Sequence, residues 1–234
     1  MATTDSGALR SYRYAEFPPA ETPWREAAFS VIDLEMTGLD PASDEIISFA
    51  TVTVSGGTVR FDDARYELVR PRLMPDWDTV RIHGLREVDL EKAAPLDEVI
   101  DDLLEPLTGR PIVAHVAEVE RNFLEAALSQ FGATLRNPTI DTAVLDRELR
   151  RLRGQRPAAR DPISLGDMVR SLGLPVHRPH HADGDALTTA QAFIALATHL
   201  EVFKPQTVGS LEGAGSDTAK GPGLLSRLLR LGGR

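Results

Sequence analysis

Two acidic side chains, Asp33 and Glu35, stand at the end of a short apolar run, FSVIDLEM. Alternation along a β-strand places residues two apart on the same face, so the two carboxylates would converge on one point. Like charges brought together need a compensating proton or cation, and carboxylate oxygens are preferred ligands of divalent metal ions. The pair therefore indicates a metal site. The alternative interpretation is two solvated charges at the end of a strand.

A second group of polar side chains lies near the start of the last long helix predicted in the chain. It reads HHADGD and contains His180 and Asp185, five residues apart. A histidine and an aspartate at this spacing can face one cleft, where the imidazole would act as a general base beside a metal ligand. The alternative is a solvated loop in which Asp185 only stabilises the N-terminus of the helix.

The composition limits the chemistry. The chain has 234 residues, a formal net charge of −9 and no cysteine, which excludes disulfides, thiolate metal sites and cysteine nucleophiles. The negative charge argues against a broad basic surface for duplex nucleic acid, but not against an enzyme that grips a few nucleotides through metal ions. No signal peptide or run of ~20 apolar residues is visible, so a cytoplasmic location without a membrane span is expected.

The elements that would position these groups are predicted to be strands in the first part of the chain, and then strands that alternate with helices. Strand patterns come first, with a hairpin signal at Gly56-Gly57 inside EIISFATVTVSGGTVR and a further run in ARYELVRP. Short strands in PIVAH and PTIDT then alternate with amphipathic helices, and Asp141 is well placed to cap one of them. This order predicts a mixed sheet flanked by helices. The helical patterns are PLDEVIDDLLEPLTG, VERNFLEAALSQFG, DTAVLDRELRRL, SLGDMVRSLGL and DALTTAQAFIALATHL.

Three motifs in order resemble the DEDDh exonucleases, a family that includes the proofreading epsilon subunit of bacterial DNA polymerase III. They are VIDLEMTGLDP, IVAHVAEVERNFL and HHADGDALTTAQAF, with IHGL and IDT as landmarks between them. The resemblance runs from about residue 24 to residue 200. It implies an α/β, ribonuclease H-like fold with a mixed five-stranded sheet flanked by helices, and a metal-dependent 3′→5′ exonuclease.

The resemblance also implies a catalytic set and two ions of Mg²⁺ or Mn²⁺. Asp33 would bridge both ions, Glu35 and Asp185 would complete the first site, and Glu120 would support the second. His180 would accept a proton from the attacking water. These roles assign phosphodiester hydrolysis at the 3′ end of a nucleic acid to five side chains.

Three further residues are predicted to bind substrate because of the same resemblance. Met36 and Thr37 follow the first carboxylates and would line the pocket for the terminal base, although a simple turn is an equal alternative. His83 in IHGL resembles the family's histidine near the terminal nucleotide, but an isolated loop histidine is more often structural.

The second motif departs from the commoner family pattern. Glu120 stands where an aspartate is usual, Val119 replaces a phenylalanine and Val116 replaces an asparagine. A glutamate keeps the charge and adds one methylene, so a metal could still be reached. Loss of the asparagine removes an amide that could hydrogen-bond the terminal nucleotide.

Residues 1–27 are predicted as an N-terminal extension, 28–203 as the exonuclease domain and 204–234 as a flexible tail. The tail ends in a basic, leucine-rich segment, residues 223–234, that could bind a polymerase or another protein partner. DNA is the favoured substrate. The alternatives are RNA trimming of the exoribonuclease or oligoribonuclease type, and a catalytically weak module that binds a 3′ end. The choice of sugar depends on contacts to the 2′-hydroxyl, which no motif reveals.

Overall fold

The computed structural model describes residues 6–158 and 162–214 of the chain. The predicted leucine-rich segment, residues 223–234, lies outside these ranges. Within them, no helix is both long enough and apolar enough to cross a membrane.

A mixed β-sheet forms the centre of the protein. Its strands are β1 (Ala28–Met36), β2 (Ile46–Ser55), β3 (Thr58–Arg70), β4 (Ala94–Pro95), β5 (Ile112–Ala114) and β6 (Thr139–Asp141). Their spatial order is β4-β3-β2-β1-β5-β6. Strands β1 to β3 form an antiparallel meander, while β5 runs parallel to β1 and β6 runs parallel to β5.

The predicted five-stranded sheet is thus a six-stranded one. The addition is the two-residue strand β4, which pairs with the end of β3 and is too short to show any periodicity. The runs TVR and ARYELVR, separate patterns in the sequence, form the single strand β3. The hairpin between β2 and β3 closes through Gly56 and Gly57, whose φ angles of 63° and 74° suit a two-residue turn of this kind.

Helices cover both faces of the sheet. They are α1 (Gly7–Tyr14), α2 (Trp77–His83), α3 (Glu87–Leu90), α4 (Leu96–Leu107), α5 (Glu118–Ser129), α6 (Thr142–Leu152), α7 (Leu165–Ser171), α8 (Ala182–Glu201) and α9 (Val208–Glu212). Helices α4 to α8 coincide with the five predicted amphipathic patterns. Ser164, the first residue of the SLGDMVRSLGL pattern, caps α7 through its side chain.

Alternation along β1 divides the core into two layers. Ile32 and Leu34 pack in one cluster with residues of α1, α4 and α5. Phe29 and Val31 pack in the other with residues of α6, α7 and α8. The odd-numbered side chains of β1 therefore face the second layer, and the next two odd positions, 33 and 35, carry the predicted acids.

Segments on both sides of the predicted 28–203 domain pack onto it. Helix α1 lies against α4, and the Tyr12 hydroxyl donates a 2.6 Å hydrogen bond to Oδ1 of Asn137. At the other end, Val208 is buried in the cluster that contains Phe29 and Phe193. The packed region therefore extends beyond both predicted boundaries, and the part of the predicted tail up to residue 214 belongs to it.

Candidate active site

Three carboxylates converge at the end of β1. Asp33 and Glu35 lie on the strand and Asp185 lies in the first turn of α8, and one oxygen from each falls within 4.8 Å of the others. All three side chains are half-buried. We call this group the acidic triad.

Small side chains allow α8 to approach the sheet at this point. Ala50, the cross-strand partner of Asp33 on β2, is buried against Ala182 and Ala186 of α8. A larger side chain at any of these positions would hold the helix away from the strands. The first turn of α8 therefore lies over the end of β1, which brings the Asp185 carboxylate to the pair on the strand.

The electrostatics of the acidic triad favour a positive partner. Burial, followed by the charges of Glu120, Asp185 and Glu35, raises the pKa of Asp33 well above its ordinary value. Burial and the charge of Asp185 raise the pKa of Glu35 to about 7. Burial also raises the pKa of Asp185. Each shift means that a negative charge is costly here unless a proton or a cation compensates it.

Glu120 is a fourth carboxylate close to the acidic triad but outside the 4.8 Å group. It lies in the first turn of α5, its side chain is 7% exposed, and its Oε2 atom has no hydrogen-bond partner. Burial raises its pKa to about 8, and the charges of Asp141 and Glu35 act in the same direction. A buried carboxylate oxygen without a donor fits a cation ligand, and so does an all-oxygen set of four acids.

His180 lies at the edge of the acidic triad, in the loop that leads into α8. Its side chain is exposed, its φ is 61°, and its backbone N–H donates a 2.8 Å hydrogen bond to Oδ2 of Asp185. The loop is held down by the N–H of His177, which donates to the Thr188 hydroxyl of α8. Gly184 makes this possible, because a Cβ there would stand 2.5 Å from the His177 carbonyl oxygen.

The three predicted substrate residues have different surroundings. His83 ends α2 and is 2% exposed; its Nδ1 accepts the N–H of Leu85, which leaves the proton on an Nε2 without a partner. Burial, and then the charge of His181, lower its pKa. A neutral buried imidazole with a free donor fits a ligand contact better than a purely structural role.

Met36 is the last residue of β1, and Thr37 begins the turn that follows it. Met36 is half-buried against the core cluster of α4 and α5. The Thr37 hydroxyl donates to Oδ1 of Asp44 and accepts the N–H of Glu45, both at 3.0 Å, so its hydrogen bonds stay within the turn. A contact of these two residues with substrate stays a prediction.

Behind the acidic triad, Asp141 does more than the helix cap predicted for it. Its Oδ1 accepts the N–H of Ala143 at 2.8 Å, which is the predicted cap of α6. Its two oxygens also accept the N–H groups of Val116 and Ala117, just before α5. The sequence pattern does not record this second role, because it follows from the pairing of Ala114 with Asp141 at the ends of two adjacent parallel strands.

Residues 30–193 match the family model RNase T, described as exonuclease. The chain belongs to this exonuclease family. The match confirms the predicted recognition, and with the acidic triad it supports nuclease activity in this chain. The exonuclease family depends on divalent metal ions, in keeping with the all-carboxylate site.

Relatives of this exonuclease include parts of much longer polymerases. The PolC-type DNA polymerase III of Thermotoga maritima is 35% identical over 170 residues, which cover 72% of this chain and 12% of the polymerase. The DNA polymerase III subunit epsilon of Aquifex aeolicus is 28% identical over 176 residues, which cover 75% of this chain and 83% of that subunit. The chain thus spans about an eighth of the PolC-type relative.

Solved structures confirm the predicted fold class. Exonuclease X in complex with 5′ overhanging duplex DNA has a TM-score of 0.60 and 23% identity, and the match covers 79% of this chain and 99% of that one. Exonuclease I of E. coli in complex with a dT13 oligonucleotide has a TM-score of 0.66 and 16% identity, over 76% of this chain and 42% of that one. The central mixed sheet flanked by helices is therefore that of ribonuclease H-like exonucleases.

Proposed function

We propose that this exonuclease removes nucleotides from the 3′ end of DNA in a reaction that depends on two divalent metal ions. The observation that carries the proposal is the convergence of Asp33, Glu35 and Asp185 on one point, with the unpartnered Glu120 carboxylate buried beside them. Four acids whose pKa values rise on burial are costly to a fold. Such a cost is expected where the acids bind a cation.

We assign the four carboxylates to two ion positions. Asp33, Glu35 and Asp185 would hold one Mg²⁺ or Mn²⁺ ion. Asp33 would also face the second, because the Glu120 charge acts on its pKa. When bound, such ions would neutralise charge on the scissile phosphate and polarise its oxygens.

His180 is the group that we propose moves a proton. Its exposed imidazole stands beside Asp185 and has solvent access, so it can accept a proton from a water molecule that attacks the phosphorus. Its link to Asp185 runs through the backbone, which leaves both ring nitrogens available for this task.

His83 is the best supported of the predicted substrate contacts. Its Nε2–H is a buried donor without a partner, and the charge of His181, next to His180, acts on its pKa. It would donate a hydrogen bond to the terminal nucleotide and so help to place the last phosphodiester at the acidic triad.

The preference for DNA and for the 3′ end rests on similarity. Structures of similar fold were solved with DNA, and the sequence relatives are polymerase III proteins. Their polymerase context also supports a protein partner for this chain, with the part of the predicted 204–234 tail beyond residue 214 as the proposed docking segment. RNA trimming and binding of a 3′ end without cleavage are the competing functions.

A digestion of end-labelled substrates tests the proposal. Full-length protein is incubated with single-stranded DNA, mismatched duplex DNA and RNA, each labelled at the 5′ or the 3′ end, in Mg²⁺, Mn²⁺ or EDTA. A 5′ label should give a ladder of shortening fragments, and a 3′ label should give mononucleotide at once. Immediate release of labelled mononucleotide from the 5′-labelled substrate would show the opposite polarity, 5′→3′. Faster digestion of RNA would favour RNA trimming, and binding without cleavage would favour the non-catalytic module.

A further inference from the structure

The backbone just before α5 is strained. Val116 has a φ of 59°, in the left-handed region that β-branched residues rarely adopt. Its carbonyl accepts the N–H of Val119, so this unusual residue forms part of the first turn of the helix. A conformation of this kind persists only where surrounding contacts hold it.

Asp141 supplies those contacts from the neighbouring strand. The N–H of Val116 donates to its Oδ1 at 3.1 Å, and the N–H of Ala117 donates to its Oδ2 at 3.2 Å. Ala117 is the N-cap residue of α5 and offers no side-chain hydrogen bond of its own. The Asp141 carboxylate therefore holds the entry to α5 at a position where a negative charge also suits the helix dipole.

Glu120 depends on this entry for its direction. It lies three residues beyond Ala117, in the first turn, so the orientation of residues 116 and 117 decides where its carboxylate points. That carboxylate is buried, has an unpartnered oxygen, and lies in the first turn of a helix that contacts β1, the strand of Asp33. Glu120 and Val116 are also two of the positions where the second motif leaves the commoner family pattern.

We propose that Asp141 is a positioning residue: it clamps Val116 and Ala117 in the strained conformation that aims Glu120 at Asp33, and so strengthens the binding of divalent cations. The inference rests on the proposed function insofar as Glu120 is taken as a metal ligand. Two simpler roles compete with it. Asp141 could matter only as the cap of α6, or only as a negative charge near the acidic triad.

A substitution that keeps the cap and removes the clamp separates the clamp from the cap, although it also removes the charge of Asp141. In Asp141→Ser the hydroxyl can still accept the N–H of Ala143, but it is one bond too short to span to residues 116 and 117. The matched control is Thr207→Ala, which removes the side-chain cap of α9 and its bond from the Ser210 N–H, on a helix that contributes no residue to the acidic triad. Both are made in the full-length chain.

Calorimetric titration with Mn²⁺, without nucleic acid, measures the effect. Asp141→Ser should weaken Mn²⁺ binding by about 10-fold or more, the usual effect of losing a residue that orients a metal ligand. Thr207→Ala should bind Mn²⁺ as the parent does. Unchanged Mn²⁺ affinity in Asp141→Ser, or an equal loss in Thr207→Ala, would overturn the proposal.

A second substitution tests the clamp itself. Val116→Gly in the Asp141→Ser background allows a positive φ without a Cβ clash, so Mn²⁺ affinity should return to near the parent value. Loss of charge or of the α6 cap would not be recovered in this way, so an unrescued double variant would refute the clamp. Digestion of DNA by the parent protein decides the proposed function separately, whatever the Mn²⁺ titrations show.

Discussion

The backbone N–H of His180 donates a 2.8 Å hydrogen bond to Oδ2 of Asp185, which fixes the proposed general base to a proposed metal ligand. The bond is made by the backbone and survives removal of the imidazole. His180→Ala should therefore lower the cleavage rate by about 10²–10⁴, the usual contribution of a positioned base, and leave Mn²⁺ affinity unchanged. Single-turnover cleavage at neutral pH measures the rate. The adjacent His181→Ala is the control, and a larger loss there would assign the base to His181.

Asp33 lies between the other acids and should be indispensable for cleavage. Asp33→Ala should reduce cleavage of single-stranded DNA to background, because it removes the carboxylate proposed to face both ions. It also relieves repulsion with Glu120, Asp185 and Glu35, so the metal-free protein should melt no lower than the parent. Asp167→Ala, on an exposed ion pair of α7, is the control and should cleave normally. Cleavage near the parent rate in Asp33→Ala would refute the metal assignment.

Substitution of Glu120 tests whether this glutamate acts as a metal ligand in place of the aspartate of the commoner motif. Glu120→Gln keeps the size of the side chain and removes its charge, so most of the cleavage rate should be lost and the Mn²⁺ requirement should rise. Glu120→Asp keeps the charge on a shorter side chain and should retain a measurable part of the rate. Rates measured across a Mn²⁺ series distinguish these results. Parent-like cleavage by Glu120→Gln would make the residue a buried charge without a role at the metal.

The predictable part of the fold is the part with long periodic patterns. Strands β1 and β2 and helices α4, α5, α6 and α8 have 9 to 20 residues, enough for alternation or helical spacing to be visible. The seven-residue α7 was predicted as well, because Ser164 marks the start of its amphipathic pattern. Elements that were not predicted, such as α1, α3 and β4, have eight residues or fewer. Their stability comes from contacts with distant segments, as for Tyr12 of α1 with Asn137, and sequence periodicity does not record such contacts.

In the site, too, the features set by local sequence were predicted, and those that depend on contacts between distant residues were not. Asp33, Glu35 and Asp185 were predicted from spacing and motif order, and the structure brings them together. The capping role of Asp141 is also local and was predicted. Its clamp on Val116 joins residues 25 positions apart and follows from the adjacency of β5 and β6, which the sequence pattern alone does not specify.

The raised pKa values of Glu35 and Glu120, about 7 and about 8, predict how stability depends on pH. Unfolded glutamates titrate near ~4.3, so the folded metal-free protein holds protons that the unfolded chain has already released. Stability from these groups is present below that value and is lost as the pH rises through 7 and 8. The unfolding free energy in EDTA should thus fall by roughly a few kcal/mol between pH 5 and pH 8.

Divalent ions should reverse this loss, because they replace the protons as partners of the carboxylates. The stabilisation by Mg²⁺ or Mn²⁺ should be larger at pH 8 than at pH 6. Urea unfolding at a series of pH values, with EDTA or with Mn²⁺, measures both slopes. Glu120→Gln removes one titrating group and should flatten the slope in EDTA. A parent protein whose stability in EDTA is constant over this range would contradict the raised pKa values.

Helix α9, in the C-terminal segment, packs into the core of the domain. Val208 and Leu211 are buried beside the Trp24 and Phe193 cluster, and the N–H of Trp24 donates to the carbonyl of Gln206. Deletion of residues 205–234 would expose this cluster and remove two buried side chains, each worth about 1.5–3 kcal/mol. The truncated protein should therefore unfold at a clearly lower urea concentration than the parent.

Deletion of residues 215–234 is the matched truncation, since it leaves every described contact of α9 in place. It should keep the parent's unfolding midpoint and its cleavage of short oligonucleotides. If residues 215–234 carry the proposed partner segment, this shorter deletion should abolish binding to a polymerase partner while catalysis persists. Equal loss of stability in the two truncations would show that residues beyond 214 also support the fold. Equal stability in the parent and the 205–234 deletion would show that the packing of α9 adds little to it.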